Sequence, residues 1–412
     1  GSVSSVMKQR CTLVLLFLFL LAGCEPFFPE ETDGDLLLDG PIEELSLAQN
    51  ATFAAGDEAF VEVFTKESGL GPVFNMPSCA SCHAGDGKGH PGTNLTRFGR
   101  DMGGGHFDYM ESQGGPQLQD RSIPGYPAET LPTGTTGVSV RSAPIVAGIG
   151  FLEAVPDSLL LALADPDDAD GDGISGRLNY VAAPDFFIPK PHHKPIGANY
   201  IGRFGRKATT IDLLHQTAVA YIDDMGITSD FFSSDLHNPL AGQFSGDGVA
   251  DPEVGSATVA NVVFYLRTLK VPAPRDEDDA DVQAGRELFS EIGCAGCHVP
   301  QLTTGESDID VLANKTFSPY TDLLLHDMGD ELADHYPEGE ATGREWRTTP
   351  LWGLGLIQDT IGGIPFYLHD GRTSDLKEVI RLHGGEAANS RGAFMALSGD
   401  EQSQIIKFLE SL

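Results

Sequence analysis

Two five-residue runs carry the chemistry of this chain: Cys79-Ala80-Ser81-Cys82-His83 and Cys294-Ala295-Gly296-Cys297-His298. Each reads C-x-x-C-H. Two thiols one helical turn apart can each add to a vinyl group of one porphyrin, and the adjacent imidazole then meets the iron on one face. The pattern predicts two covalently bound c-type haems. Cys79, Cys82, Cys294 and Cys297 would hold the porphyrins, with His83 and His298 on the irons. A zinc ribbon would place its two C-x-x-C pairs about 15–20 residues apart, whereas these begin at 79 and 294. A thiol redox pair needs no following His. The chain has six cysteines, and the other two, Cys11 and Cys24, lie in the leader.

The elements around the motifs repeat. Residues 55–63 before the first motif match residues 284–292 before the second, and both read as helices with one apolar face. Phe60, Val63 and Phe64 form one face; Leu288, Phe289 and Ile292 form the other. Residues 262–269 likewise match 405–412 and read as closing helices. The last carries a capping box, Ser398 with Glu401, and the first is expected to run to Val271-Pro272. These signals predict a mainly α protein of two cytochrome-c-like helical domains, 50–272 and 278–412, joined by a charged linker at 273–277. Long Gly/Pro-rich loops enlarge the first domain. Little strand is expected beyond a short hairpin near Gly137-Val138-Ser139-Val140.

Residues 1–6 precede Met7 and are set aside as an expression scar or upstream extension. Met7-Lys8-Gln9-Arg10 is a basic start, and residues 13–21 are an apolar run too short to cross a bilayer core of about 30 Å as a helix. Leu21-Ala22-Gly23-Cys24 is similar to a bacterial lipobox. A signal peptide over 1–24 is therefore expected, with Cys24 lipidated and residues 25–49 a flexible tether. Several acyl chains together anchor firmly. The expected location is the bacterial cell envelope, as a periplasm-facing lipoprotein touching membrane through its lipid only. The formal net charge of -34, from 60 acidic against 26 basic residues, disfavours nucleic acid and anionic membrane as partners. It would suit a basic electron donor, but solubility or a salty habitat is the simpler account.

Asp168-Ala169-Asp170-Gly171-Asp172-Gly173-Ile174 follows the first half of a calcium loop. Asp168, Asp170 and Asp172 would converge on the cation with the Ile174 carbonyl. Position 12 of such a loop holds Asn179, so Asp165 or Asp167 would have to compensate.

His383 falls on the same helical face as Leu376, Val379 and Ile380, on a helix that Ser374 can cap. It is the expected sixth ligand of the second haem, with Met328 or His326 as fallbacks. For the first haem, His90, His106 and His215 are all candidates. Catalysis at that iron would instead need an open position and an acid nearby.

From Gly56 to Leu412 the chain resembles the bacterial di-haem oxidoreductases related to the di-haem cytochrome c peroxidases and to the di-haem enzyme that matures methylamine dehydrogenase. The likeness rests on runs 69–75, Gln117-Leu118-Gln119-Asp120, 164–168, Gly202-Arg203-Phe204-Gly205 and 224–229. It continues through Leu325-His326-Asp327-Met328-Gly329, 347–353, His369-Asp370-Gly371-Arg372 and 383–387. The resemblance implies that the first haem is catalytic and the second feeds it electrons. It implies a Met where His383 stands, a Glu where Asp224 stands, a Gln near Gln216, and a Trp where Arg206 stands. The function expected is peroxide reduction at the first haem. The donor would be a small cytochrome or cupredoxin, and the oxidant peroxide or another small molecule. The alternatives are an electron-relay cytochrome without catalysis and an envelope lipoprotein accessory to iron handling.

Overall fold

The computed structural model describes residues 38–242 and 246–412. The leader, Cys11 and the lipidation candidate Cys24 lie outside the described residues.

Six helices position the site: α1 (Leu47–Val61), α2 (Leu213–Met225), α3 (Ser256–Thr268), α4 (Ala280–Glu291), α5 (Leu376–Leu382) and α6 (Gly399–Ser411). Side-chain caps start most of them. Ser46 and Gln49 form a capping box on α1, and Ser398 and Glu401 the expected one on α6. Asp212 caps α2 through the His215 N–H, and Asp279 caps α4. Each such oxygen satisfies a backbone donor that the first helical turn leaves free. α2 ends at Gly226, whose left-handed φ of 66° lets its N–H turn back to Ile222. α3 stops at Thr268, short of Val271-Pro272.

The helices cross in two matching pairs, α1 on α3 and α4 on α6. A glycine makes each crossing close. A Cβ on Gly56 would sit 2.1 Å from the Asn261 carbonyl oxygen, and one on Gly285 would sit 2.0 Å from that of Gln404. Phe53, Phe60, Tyr221, Val262, Val263 and Tyr265 build one core, which also takes in Phe317, Leu323, Leu324 and Trp352 from the C-terminal half. Val282, Phe289, Tyr320, Ile405 and Phe408 build the other. Val63, expected on the buried face of the first helix, is exposed because α1 ends two residues earlier.

The expectation of a mainly α protein of two cytochrome-c-like helical domains is not met. Among the described residues, helix makes up 35% and strand 13%, the latter in several small sheets. β1 (Leu95–Gly103) lies between β2 (His106–Asp108) and β3 (Gly137–Arg141). The stretch expected to be a local hairpin is thus β3, paired antiparallel with a strand some forty residues earlier, Leu95 opposite Arg141 and Gly99 opposite Gly137. A second pair, β4 (Leu325–Asp327) and β5 (Glu345–Arg347), sets His326 opposite Trp346. Most other strands are two or three residues long, too short for an alternating pattern to stand out from the surrounding loops.

Ion pairs lock these loops onto the sheet. Glu338 bridges Arg97 at 3.0 Å and Arg141 at 2.6 Å. Lys207, fully buried, donates to Asp334 and to the carbonyls of Tyr336 and Thr342 at 2.7–2.8 Å. A buried ammonium is tolerable only when its donors are satisfied this way.

Candidate functional site

The first motif forms a short helix, Cys79–Cys82, capped by Ser78, whose Oγ accepts from the Ser81 N–H at 3.1 Å. The His83 N–H donates to the Cys79 carbonyl, as the His298 N–H does to that of Cys294. The imidazoles are oriented alike. His83 Nδ1 lies 2.8 Å from the Pro144 carbonyl oxygen, and His298 Nδ1 lies 2.9 Å from that of Tyr320. A carbonyl only accepts, so Nδ1 carries the proton and Nε2 keeps the lone pair for a metal. Phe60 and Phe289 pack on the two rings at centroid distances of 6.1 and 6.2 Å. Burial pushes both imidazoles down to about 4, which keeps them in the neutral, metal-ligating form. None of these four cysteines is in a disulfide. Burial pushes Cys79, Cys82 and Cys294 up to about 12, which argues against thiolate redox chemistry.

Both motifs face one cavity of about 450 Å³. Its wall includes the buried cations Lys88, Arg141, Arg206 and Arg347. Arg206 donates twice to the Ser142 carbonyl, at 3.1 and 2.8 Å. Arg347 donates its backbone N–H to the Arg206 carbonyl and Nε to that of Gly205, so the two arginines lie side by side. Burial lowers Lys88 to about 7 and Arg347 to about 10. Burial, then repulsion from Arg347 and Arg141, lowers Arg206 to about 9. Lys88 Nζ, Arg141 Nη2 and Arg347 Nη1 are buried without a hydrogen-bond partner. Buried donors left open this way call for an anion. A porphyrin that brings propionate carboxylates to this wall and a flat apolar body to the rest suits the residues present.

On the second side, His383 stands at the C-terminal end of α5 and lines the cavity. Its Nδ1 lies 2.7 Å from the Val379 carbonyl, which again leaves Nε2 free. The helix is capped by Asp375 and not by Ser374. The fallback His326 has both ring nitrogens engaged, Nε2 by Asp322 at 2.8 Å and Nδ1 by Glu386 at 2.7 Å. Those carboxylates outweigh burial and hold it well above the usual histidine range. Its nitrogens are therefore committed to hydrogen bonds. Met328 does line the cavity.

On the first side, none of the three candidate histidines is a cavity-lining residue. His90 accepts from the Gly92 N–H and packs edge-on against Phe366. His106 is exposed on β2. His215 accepts from the Ile211 N–H and packs against Phe186. The wall there offers Met76, Gln216, Asp224 and Met225. Burial pushes Asp224 up to about 7, against the opposing pull of Gln117, and neighbouring Asp223 adds to the rise. Gln117 Nε2 donates to Asp224 Oδ1 at 2.7 Å. Asp224 and Gln216 share the cavity, but Gln216 Oε1 accepts instead from Thr210, at 2.8 Å. Gln117 is thus the amide that holds the acid. The sequence showed it only as one of the residues in Gln117-Leu118-Gln119-Asp120.

Trp346 also went unnoticed in the sequence. It stacks on His369 with ring centroids 3.7 Å apart and an interplanar angle of 20°, both on the cavity wall, and Lys207 Nζ lies 4.6 Å from its ring centre. Arg206 therefore is not the last word on aromatic content along the wall.

In the acidic loop, Asp165, Asp168 and Asp170 bring carboxylate oxygens within 4.8 Å of one another. Asp172 stands outside that group, its Oδ1 accepting from the Ile174 N–H at 2.8 Å. Asp165 takes the place expected of Asp172.

The family described as "Di-haem oxidoreductase, putative peroxidase" matches residues 135–412. Among solved structures, the hydrazine synthase of Kuenenia stuttgartiensis pressurised with 20 bar xenon aligns over 94% of this chain and 96% of that one, at 14% identity and a TM-score of 0.39. The comparison with curated proteins returned no match.

Proposed function

We propose, from the premise that the chain belongs to the di-haem oxidoreductase family, that it reduces peroxide beside His83 with electrons arriving by way of His298. The supporting observation is Asp224, a carboxyl pushed up to about 7 by burial on the cavity wall and held by Gln117. Haem iron, when bound, supplies the redox change and the coordination position that the reaction needs. Reduction of hydrogen peroxide to two waters consumes two electrons and two protons. Asp224 takes the proton from the oxygen nearer His83 and returns it to the leaving oxygen; with a pKa near 7 it can do both at neutral pH. Gln117 fixes the carboxyl's orientation. Cys79, Cys82, Cys294 and Cys297 would hold the two porphyrins covalently, and His83, His298 and His383 would offer imidazole nitrogens to the irons.

A small cytochrome or cupredoxin supplies the electrons. A lipid on Cys24, behind the leader, anchors the protein in the cell envelope on this reading. Among the described residues no helix is long and apolar enough to cross a membrane. Asp165, Asp168 and Asp170 bind calcium in the loop that packs Ile174 over Gly296. The test is peroxide consumption by the purified protein with a reduced small cytochrome as donor, alongside spectra at defined redox states. A high-spin signal with peroxide-dependent oxidation of the donor is expected. Two low-spin, six-coordinate signals indifferent to peroxide would make the protein an electron relay.

A further inference from the structure

The acids the reaction does not use include a second cluster, below the C-terminal end of α2. Asp235, Asp247 and Glu253 each offer a carboxylate oxygen, and these lie within 4.8 Å of one another. Asp247 is only 7% exposed. Its Oδ1 accepts from the Val249 N–H at 2.7 Å, while its Oδ2 is buried with no partner. Asp235 Oδ1 and Glu253 Oε1 are buried and unpartnered as well. Each of the three carboxylates thus keeps one buried oxygen without a hydrogen-bond partner, in a group that brings one oxygen from each residue within 4.8 Å. No nitrogen or sulfur ligand belongs to the group, so the chemistry called for is that of a hard cation. Opposite ligands around calcium stand about 4.6–5.2 Å apart, and around magnesium about 4.0–4.2 Å. Magnesium also tends to keep its waters, whereas calcium accepts several carboxylates in a flexible cage.

We propose that Asp235, Asp247 and Glu253 bind a calcium ion that clamps the segments 230–235 and 247–253 to the end of α2. The second oxygens of the cluster show what the clamp holds. Glu253 Oε2 accepts from the Thr228 N–H at 2.6 Å and also from its hydroxyl, and Asp251 Oδ1 lies 2.7 Å from the same hydroxyl. Ser229 and Val254 pair in parallel next to it. Thr228 follows α2 by three residues, and α2 carries Gln216 and Asp224. The ion thus fixes the base of the helix that presents the acid. This assignment does not depend on which reaction the cavity performs.

The experiment uses the full haem-loaded chain, stripped with EDTA and dialysed against calcium. In the Asp168→Asn/Asp170→Asn variant, which disables the other acidic loop, one bound calcium per chain is expected. Adding Asp235→Asn and Asp247→Asn should abolish it. Absence of calcium from the first variant, or its survival in the second, overturns the proposal. Limited proteolysis of the first variant gives a readout that needs no further substitution. At a free calcium concentration of 100 times Kd the opened population falls about 100-fold, and cleavage between 229 and 254 slows with it relative to EDTA. Cleavage there at equal rates with and without calcium overturns the assignment.

Discussion

Around His298 the cavity wall presents a second imidazole, His383, whereas around His83 it presents a carboxyl, Asp224. The frames behind the two are nearly superposable in their chemistry. Each histidine is steered by a backbone carbonyl, backed by a phenylalanine, and carried next to a helix crossing that a glycine brings close. The difference arises on a neighbouring helix, α2 in one half and α5 in the other. On the proposed reading, one frame holds an iron for chemistry in the first half and for electron passage in the second, and the facing residue makes the difference. An imidazole with a free Nε2 closes a coordination position. On that reading, a carboxyl with a pKa near 7 leaves the position for a small oxidant and can take and return its proton.

The largest expected effect is all-or-none and addresses what the halves share. Replacing Cys79 and Cys82 by Ala should remove one haem per chain, and replacing Cys294 and Cys297 the other, as read by haem content after acid–acetone extraction. Extraction of haem from the unsubstituted protein would show that neither half binds covalently.

Next is the acid that sets the first half apart. Asp224→Asn should lower peroxide turnover about 100- to 10,000-fold with haem content unchanged, and the unsubstituted enzyme should lose activity as pH falls through about 7, because the carboxyl must be ionised to take the first proton. Thermal unfolding checks the same group. Its folded pKa is raised, so the stability contributed by the protonated carboxyl is full below the ordinary value of 3.8 and is lost as pH climbs to about 7. The melting temperature of the unsubstituted protein should fall relative to that of Asp224→Asn over this window. A constant difference would show that Asp224 does not titrate there.

The imidazole on the other side is tested by spectroscopy and potentiometry. Haem with His/Met ligation lies at higher potential than haem with two His ligands. His383→Met should raise the second potential, and His383→Gly should turn that iron high-spin. If neither changes, His383 is a core residue.

The smallest effects probe the shared frame. Gly56→Ala and Gly285→Ala each force a methyl against a backbone carbonyl, and each should cost about 1–3 kcal/mol, measured by denaturant unfolding. A large effect at one and none at the other would mean that the two crossings are not equivalent. The acidic loop at Asp168 and Asp170 should respond to calcium. At 100 times Kd a bound ion adds about 2.7 kcal/mol, which EDTA removes.

The metal-facing parts of the site were the most legible in the sequence. C-x-x-C-H fixes its own geometry within one helical turn, and the capping box at Ser398 is equally local. The family could be read from ordered short runs, and the match over 135–412 agrees. The fold class could not. Strands such as Val73–Phe74 gain their pairing from partners far along the chain, which no local period reports. The same limit applied to Asp224, whose holding amide comes from Gln117 and not from Gln216 on its own helix. It applied also to Trp346, which meets His369 only because β4 and β5 bring it to the wall.

The matched glycine crossings have a kinetic consequence. Position 56 waits for position 261, and position 285 for position 404. At about 5–20 residues per second of synthesis, α1 emerges roughly 10–40 seconds before α3 exists to cover Phe53 and Phe60. α6 repeats the pattern of α3 and would compete for the same surface if both were free at once. Emergence of the chain from its N-terminal side, from the ribosome or across a membrane, reduces the competition, because α3 can meet α1 before α4 and α6 appear. Refolding of the whole chain from denaturant offers no such order, so mispaired helices should accumulate there more than in the nascent protein.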